Sequence, residues 1–295
     1  MTLAIMLVTP GGVWCSTDHQ LTKGGRPHRD DSVKHLQITC HDGYALIGYG
    51  GIGEAPGQDL DISEWARRVL RGKSRSIDES LVDIREQATA TLGSIAYRQK
   101  IPHAFLVGAY YGGRPWAILI SNWRVPSPGG RPVLLPRFET AADRADDTYL
   151  LVTGGGMHDI GADDRKMLLA IGKKVPRQPD GYMKLLAGVN RRASVKRPPD
   201  KRTISESCTV TYMPAAGAPT KSQWYGPEKD TPQAIGGFSS MWHGLDMGEL
   251  FNPAEFELLR LKEEGLITEE EYKSRSDGFC KESVTPRGRR ALRSP

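Results

Sequence analysis

The amino-terminal fifty residues constrain this chain most. Residues 3–9 and 12–16 are short apolar runs separated by Pro10-Gly11-Gly12, and residues 35–41 and 44–49 repeat the pattern around His41-Asp42-Gly43. Apolar runs of this length with glycine between them read as strand pairs joined by tight turns. A glycine-rich stretch, GYGGIGEAPG, follows from Gly48.

Two helices come next. Asp61 and Glu64 have capping-box spacing before WARRVL, and Ser76 and Glu79 repeat it before a longer segment. In that segment Ile77, Leu81, Ile84, Ala88, Leu92 and Ile95 recur at spacings of three or four, forming one apolar stripe suited to covering a sheet. Strands resume at 103–110 and 115–121 with Tyr111-Gly112-Gly113-Arg114 between them, and the Pro/Gly-rich stretch 124–137 reads as a surface excursion. A strand at 148–152 runs into Thr153-Gly154-Gly155-Gly156, helices are predicted over 160–172 and 180–189, and 209–213 closes the series as a strand. The order predicts an α+β fold of two stacked sheets with helices on both outer faces.

Four segments follow: a main domain over 1–214, an irregular linker or arm over 215–250, a short helical hairpin over 251–276 and a basic tail over 277–295. The hairpin is read from Asn252-Pro253-Ala254-Glu255, which combines a cap, a first-turn proline and a box glutamate, and from Thr268-Glu269-Glu270-Glu271, which opens a second helix. A unit this small buries little surface alone, so it needs the main domain or a partner.

Composition excludes several classes. The first apolar run has no basic leader, and nothing approaches the eighteen or so apolar residues of a membrane span, so no membrane association and a cytoplasmic location are expected. The four cysteines contain no CxxC pair, and Cys15, Cys40 and Cys208 fall in strand-like runs as buried thiols. His19, His28, His35 and His41 lack ligand spacing, and His103, His158 and His243 read as turn or surface residues, so no metal and no cofactor are expected. The net charge of +5 is concentrated at 191–202 and in the tail. Without aromatic interleaving, these runs read as solvated loops and ends, and a nucleic-acid partner is not expected. The glycines after Gly48 match neither G-x-G-x-x-G nor a phosphate loop.

What remains is chemistry at the start of the chain. Removal of Met1 would give Thr2 a free amine and a hydroxyl on one residue, a base and a nucleophile for acyl transfer. Lys34 could favour a developing alkoxide, Asp18 could orient and balance Lys34, and backbone N–H groups at Gly48 could receive an oxyanion. Each has a plainer reading: Asp18 as a turn cap, Lys34 as a solvated strand-edge lysine.

The pattern Thr2, then GGVWCSTDHQLTKGG, then DDSVKHLQI, then ALIGYGGIG resembles the proteasome-type N-terminal-nucleophile (Ntn) hydrolases. In that family an amino-terminal threonine is followed sixteen residues on by an aspartate and thirty-two residues on by a lysine, positions held here by Asp18 and Lys34. Gly48 matches the oxyanion glycine, and LVTGGG resembles a later active-site loop, with Thr153 where serine is usual, followed by Gly154. The resemblance covers residues 2–212 and implies a four-layer αββα sandwich of two antiparallel sheets, hydrolysis of peptide or amide bonds by a threonine-type enzyme, and homo-oligomeric, often ring-shaped, assembly. Departures are Gln20 in place of a common arginine, bulky Tyr49 after the oxyanion glycine, and no clear aspartate near the amine, for which Asn190 and Ser194 are the nearest candidates. The segment FELLRLKEEGLITEEEYKSR resembles a short helical module of SHOCT type at bacterial protein ends, which implies protein contacts. Besides a threonine hydrolase, the sequence leaves open a catalytically inactive oligomeric scaffold and a small-metabolite amidase.

Overall fold

The first strand, β1 (Ala4–Thr9), sends alternate side chains into two different cores. Leu3, Ile5 and Leu7 join one apolar cluster, while Ala4, Met6 and Val8 join another. This two-sided burial explains its unbroken apolar sequence. The computed structural model describes residues 2–247 except 24–25, 30–31, 56–59, 73, 126–129, 174–178, 199–201, 216–219, 228–232 and 235–239, and beyond 247 only Leu261, Leu266, Thr268, Glu270 and Glu271.

After β1 the chain turns into β2 (Gly12–Asp18), then β3 (Leu21–Lys23) and β4 (Arg26–Arg29), then the hairpin β5 (His35–Cys40) and β6 (Gly43–Gly50). Short β7 (Glu54–Ala55) and β8 (Leu60–Asp61) lead to α1 (Ile62–Leu70), α2 (Ile77–Ala88) and α3 (Ser94–Arg98). Next come β9 (Ala104–Tyr111), β10 (Arg114–Arg124), β11 (Val133–Arg144) and β12 (Tyr149–Thr153). They are followed by α4 (Ala162–Gly172), α5 (Pro179–Val195) and β13 (Cys208–Pro214). The described chain continues through β14 (Lys221–Tyr225), β15 (Gln233–Ala234), β16 (Ser240–Trp242) and β17 (Leu245–Asp246).

The fold is α+β with two mostly antiparallel sheets, ordered β12-β1-β2-β13-β14-β15 and β11-β10-β9-β6-β5-β16-β17. Three apolar clusters organise them. One joins α1 and α2 to the outer face of the β6/β9 sheet through Trp65, Leu81, Ile84, Ile47 and Phe105. A second joins α4 and α5 to the β1/β2 sheet through Leu168, Met183, Leu186, Ile5 and Trp14. The third lies between the sheets and contains Met6, Val13, Leu46, Leu106 and Met213. This arrangement is compatible with a sandwich.

Local signals explain most elements. The Asp61 side chain accepts the Glu64 N–H at 2.8 Å, and the Ser76–Glu79 box is reciprocal, with Glu79 N to Ser76 Oγ at 3.1 Å and Ser76 N to Glu79 Oε2 at 2.8 Å. The apolar stripe holds from Ile77 to Leu92 and then moves from Ile95 to Ala96. A π-turn over Thr89–Gly93 adds a residue there and shifts the phase.

Several regions differ from the sequence reading: β3, β4, β7 and β8 are strands it does not contain, and α5 runs past 189 to Val195, into the basic run read as a solvated loop. The excursion over 124–137 gives way to strand: β10 runs on to Arg124 and β11 begins at Val133. Within β11 only Phe138 is buried, so an edge strand of this kind carries no apolar periodicity. Pro136 falls where the β10–β11 register shifts, a place where a missing N–H is tolerated. The described parts of 215–250 form an ordered arm: β14 pairs with β13, and β16 runs parallel to β5. The boundary at 214 therefore falls between two hydrogen-bonded strands. The hairpin over 251–276 lies outside the described residues except for a few, among which Thr268 and Glu271 form a capping box. The tail over 277–295 lies outside them entirely.

Candidate active site

One carboxylate organises the polar end of the molecule. Asp18 is the last residue of β2, and its backbone N–H donates to Leu3 O at 3.2 Å. Its Oδ1 accepts the Leu3 N–H at 2.7 Å and Lys34 Nζ at 2.9 Å. Its Oδ2 accepts the N–H groups of Gln20 and Ser205 at 3.1 and 3.2 Å. Asp18 and Lys34 are both wholly buried, at 0% exposure. Lys34 also donates to the Gln20 carbonyl. Taking two charges out of water costs several kcal/mol each, and only dense hydrogen bonding offsets it. Asp18 does cap the turn to Gln20, as its plainer reading had it, but it also holds Leu3, Ser205 and Lys34, and Lys34 is not the solvated strand-edge lysine of that reading.

Thr2 sits directly beside this pair. It is 2% exposed, and the peptide that follows it is tied to Asp18 through the Leu3 N–H. The Thr2 carbonyl accepts the Gly156 N–H at 3.3 Å. Thr153, the last residue of β12, pairs with Ala4, and Gly154 follows with φ of +97°. A side chain on Gly154 would come within 1.8 Å of the Thr2 carbonyl oxygen, so close approach and backbone angle both demand glycine. A Cβ on Gly50 would lie 2.9 Å from Gly154 Cα. The ends of β6 and β12 thus meet at Thr2.

Gly48 lies inside β6, opposite His35 on one side and Leu106 on the other. Tyr49 donates its N–H to Lys34 O at 3.3 Å, so strand alternation turns the Gly48 N–H toward β9. A Cβ at Gly48 would stand 2.8 Å from Cys15 Sγ, which gives this glycine a packing reason. Tyr49 belongs to the helix-side cluster with Ile47 and Trp65, on the face of β6 away from the other sheet. Its bulk therefore does not narrow the space between the sheets.

Asn190 and Ser194, both on α5, do not meet Thr2 in the described hydrogen bonds. Asn190 Nδ2 donates to Ser205 O at 3.0 Å, and Ser194 Oγ donates to Ile204 O at 2.8 Å. They secure the loop whose Ser205 N–H reaches Asp18. That loop was missed by sequence reasoning, since a backbone donor has no side-chain signature.

A buried polar group continues between the sheets. His35 bridges Thr17 Oγ1 at 3.5 Å and Thr211 Oγ1 at 3.0 Å, and Thr211 meets Ser222 Oγ at 2.8 Å. Burial, with a smaller effect from nearby His19, pushes the His35 pKa down to about 3, so the ring is neutral. Trp224 Nε1 donates to His19 Nδ1 at 3.2 Å, which leaves His19 Nε2 as the donor to Thr209 Oγ1 at 2.7 Å. Burial pushes the Cys15 and Cys208 thiols up to about 12, so neither is a usable nucleophile. His103, expected at a turn or surface, is fully buried. In the basic run Arg192 and Arg197 meet Asp164 and Asp159 at 2.7 and 2.9 Å, and Arg202 meets Glu206.

The chain matches no protein-family model and no curated protein. Among the described residues no helix is long and apolar enough to cross a membrane, and no group of three or more His, Cys, Asp or Glu side chains could hold a metal.

Proposed function

We propose that this chain is an N-terminal threonine hydrolase of the proteasome-type Ntn class, cleaving peptide or amide bonds after Met1 is removed. The observation that carries the reading is the fully buried Asp18–Lys34 pair at 2.9 Å, with Asp18 Oδ1 also gripping the Leu3 N–H immediately after Thr2. The backbone N–H groups on Asp18 need an acceptor but not a cation, and replacing the charges of a buried pair is often neutral or stabilising, so stability alone is a poor reason for the buried Lys34. The three buried clusters support the four-layer αββα arrangement that this class implies.

In this reading the freed Thr2 amine, with a reference pKa near 8, takes the hydroxyl proton directly or through water. The Thr2 oxygen attacks the substrate carbonyl and forms an ester, which water then cleaves. Lys34 favours the developing alkoxide, and Asp18 holds Lys34 charged and in place. Backbone at the end of β6, from Gly48 to Gly51, receives the oxyanion, with the Gly48 N–H taking part only when it leaves its place opposite Leu106 in the β6–β9 ladder. Assembly into a homo-oligomer such as a ring, contacts of the C-terminal helices with a protein partner, and a cytoplasmic location belong to the same proposal.

The deep burial of Thr2, at 2% exposure, favours a second reading: an oligomeric scaffold that keeps the fold without turnover. One measurement separates them. After treatment with an electrophilic peptide analogue, intact mass should show one adduct on a species lacking Met1, and Thr2→Ala should abolish the adduct while preserving assembly. Absence of an adduct supports the scaffold. Normal turnover by Thr2→Ala removes the hydrolase reading.

A further inference from the structure

His103 is buried to 0% exposure just before β9, yet the roles assigned above do not use it. Its Nδ1 accepts the Ile52 N–H at 2.9 Å. An acceptor at Nδ1 fixes the proton on Nε2, and that nitrogen makes no hydrogen bond among the described residues. The ring is boxed by Phe105 and Phe138, edge-on at 4.8 and 5.7 Å, and by Tyr49, near-parallel at 6.1 Å. A leucine or phenylalanine would fill such a box without stranding a polar N–H, which costs about 1–3 kcal/mol. The Nδ1 acceptor is what an apolar residue could not supply.

That acceptor acts on the loop where β6 ends. Gly51 has φ of +125°, a backbone region glycine favours, and a Cβ there would strike Pro102 O and His103. Ile52, the next residue, is the one His103 holds. Gly50, the preceding residue, is packed against Gly154, and Gly154 against the Thr2 carbonyl. His103 is itself anchored: its N–H donates to Asn122 Oδ1 at 2.7 Å, and Asn122 Nδ2 donates to Ile101 O at 3.1 Å. A chain of short contacts therefore runs from Asn122 through His103 and the Gly50–Ile52 bend to Thr2.

We propose that His103 is a positioning residue for the Thr2 site, clamping the Gly50–Ile52 bend against Gly154 through its Nδ1. This rests on the hydrolase reading for its catalytic consequence. Burial also pushes the His103 pKa down to about 3, in keeping with a neutral ring that accepts at Nδ1.

The test compares His103→Leu, His103→Asn and His103→Gln in the full chain. Asparagine can place its amide oxygen close to the Nδ1 position, whereas glutamine carries its oxygen one methylene further. The rate of adduct formation at Thr2 should fall about 100-fold in His103→Leu, the scale of a misplacement near 1 Å. It should recover to within about tenfold of wild type in His103→Asn but not in His103→Gln. Amide hydrogen exchange should accelerate at 50–53 and 154–156 in His103→Leu and His103→Gln, and this should hold equally in a Thr2→Ala background. Should His103→Leu fail to fold, the Asn–Gln contrast decides. Wild-type labelling and exchange in His103→Gln overturns the clamp. If wild type itself forms no adduct, the hydrolase reading and the catalytic consequence fall together, while the exchange data still decide whether His103 holds the bend.

Discussion

The space between the two sheets has two ends built on opposite principles. At one end Met6, Val8, Val13, Leu46 and Leu106 interdigitate with no polar atom to satisfy. At the other lie Asp18, Lys34, Thr17, His35, Thr209 and Thr211, each buried and tied into hydrogen bonds or ion pairs. The same strands, β2 and β6, run through both. The apolar end shows that these strands can close on each other by packing alone. The polar end is therefore not what brings the sheets together. It is where a buried charge is tolerated, and tolerating it takes at least four donors on one carboxylate.

Changing Lys34 should break that comparison most severely. Lys34→Met keeps the volume and leaves the Asp18 carboxylate without its cation, so urea unfolding should show a loss of about 3–5 kcal/mol, with no adduct at Thr2. The double variant Asp18→Asn, Lys34→Met removes both charges and keeps an amide oxygen for the Leu3 N–H, so it should regain part of that stability and none of the reactivity. The apolar end supplies the control. Leu106→Ala should cost about 2–5 kcal/mol by leaving a cavity, while the folded variant labels at close to the wild-type rate. Equal effects of both variants on labelling would erase the distinction between the two ends.

The sequence carries the apolar end openly and the polar end only in part. Leu3–Val8, the two glycine turns and both helix caps are local signals, and each is found where it was expected. The Asp18–Lys34 contact was legible only as a spacing shared with a known family, since nothing local distinguishes a buried lysine from a solvated one. Strands β11 and β14–β17 escaped because existing edges template them. Trp242, for example, is half exposed, and its strand exists by pairing with β5. His103 escaped because it reads as a turn or surface residue at the first position of the 103–110 strand, and its burial depends on Tyr49 and Phe138, distant in the chain, closing over it beside Phe105.

Acid should reach the polar end before the apolar one. His35 has a folded pKa near 3, against about 6.5 in an unfolded chain. Between those values the unfolded state binds more protons, so the stability from this group is fully present above about pH 6.5 and is lost as pH falls toward 3. The slope is about 1.4 kcal/mol per pH unit for the one proton. Thermal unfolding of wild type and His35→Gln from pH 7.5 to 4.5 should give a shallower slope for the variant by that amount. Identical slopes would mean that His35 is already solvated, and the buried polar group would lose its middle member.

The smallest effect belongs to the residue at the seam. A methyl on Gly48 would meet Cys15 Sγ at 2.8 Å and Thr17 Cγ2 at 3.5 Å, one neighbour from each end. Both belong to β2, so relief requires the sheets to part slightly, and Gly48→Ala should cost about 1–3 kcal/mol. Adding Cys15→Ala removes the sulfur and should return most of that stability. Alanine keeps the backbone N–H, so the pair of variants separates two reasons for glycine here. If adduct formation recovers together with stability in the double variant, Gly48 is needed for the fit of β6 on β2. If stability returns and reactivity does not, the Gly48 backbone serves the reacting atoms directly, and its place in the β6–β9 ladder must open when substrate binds.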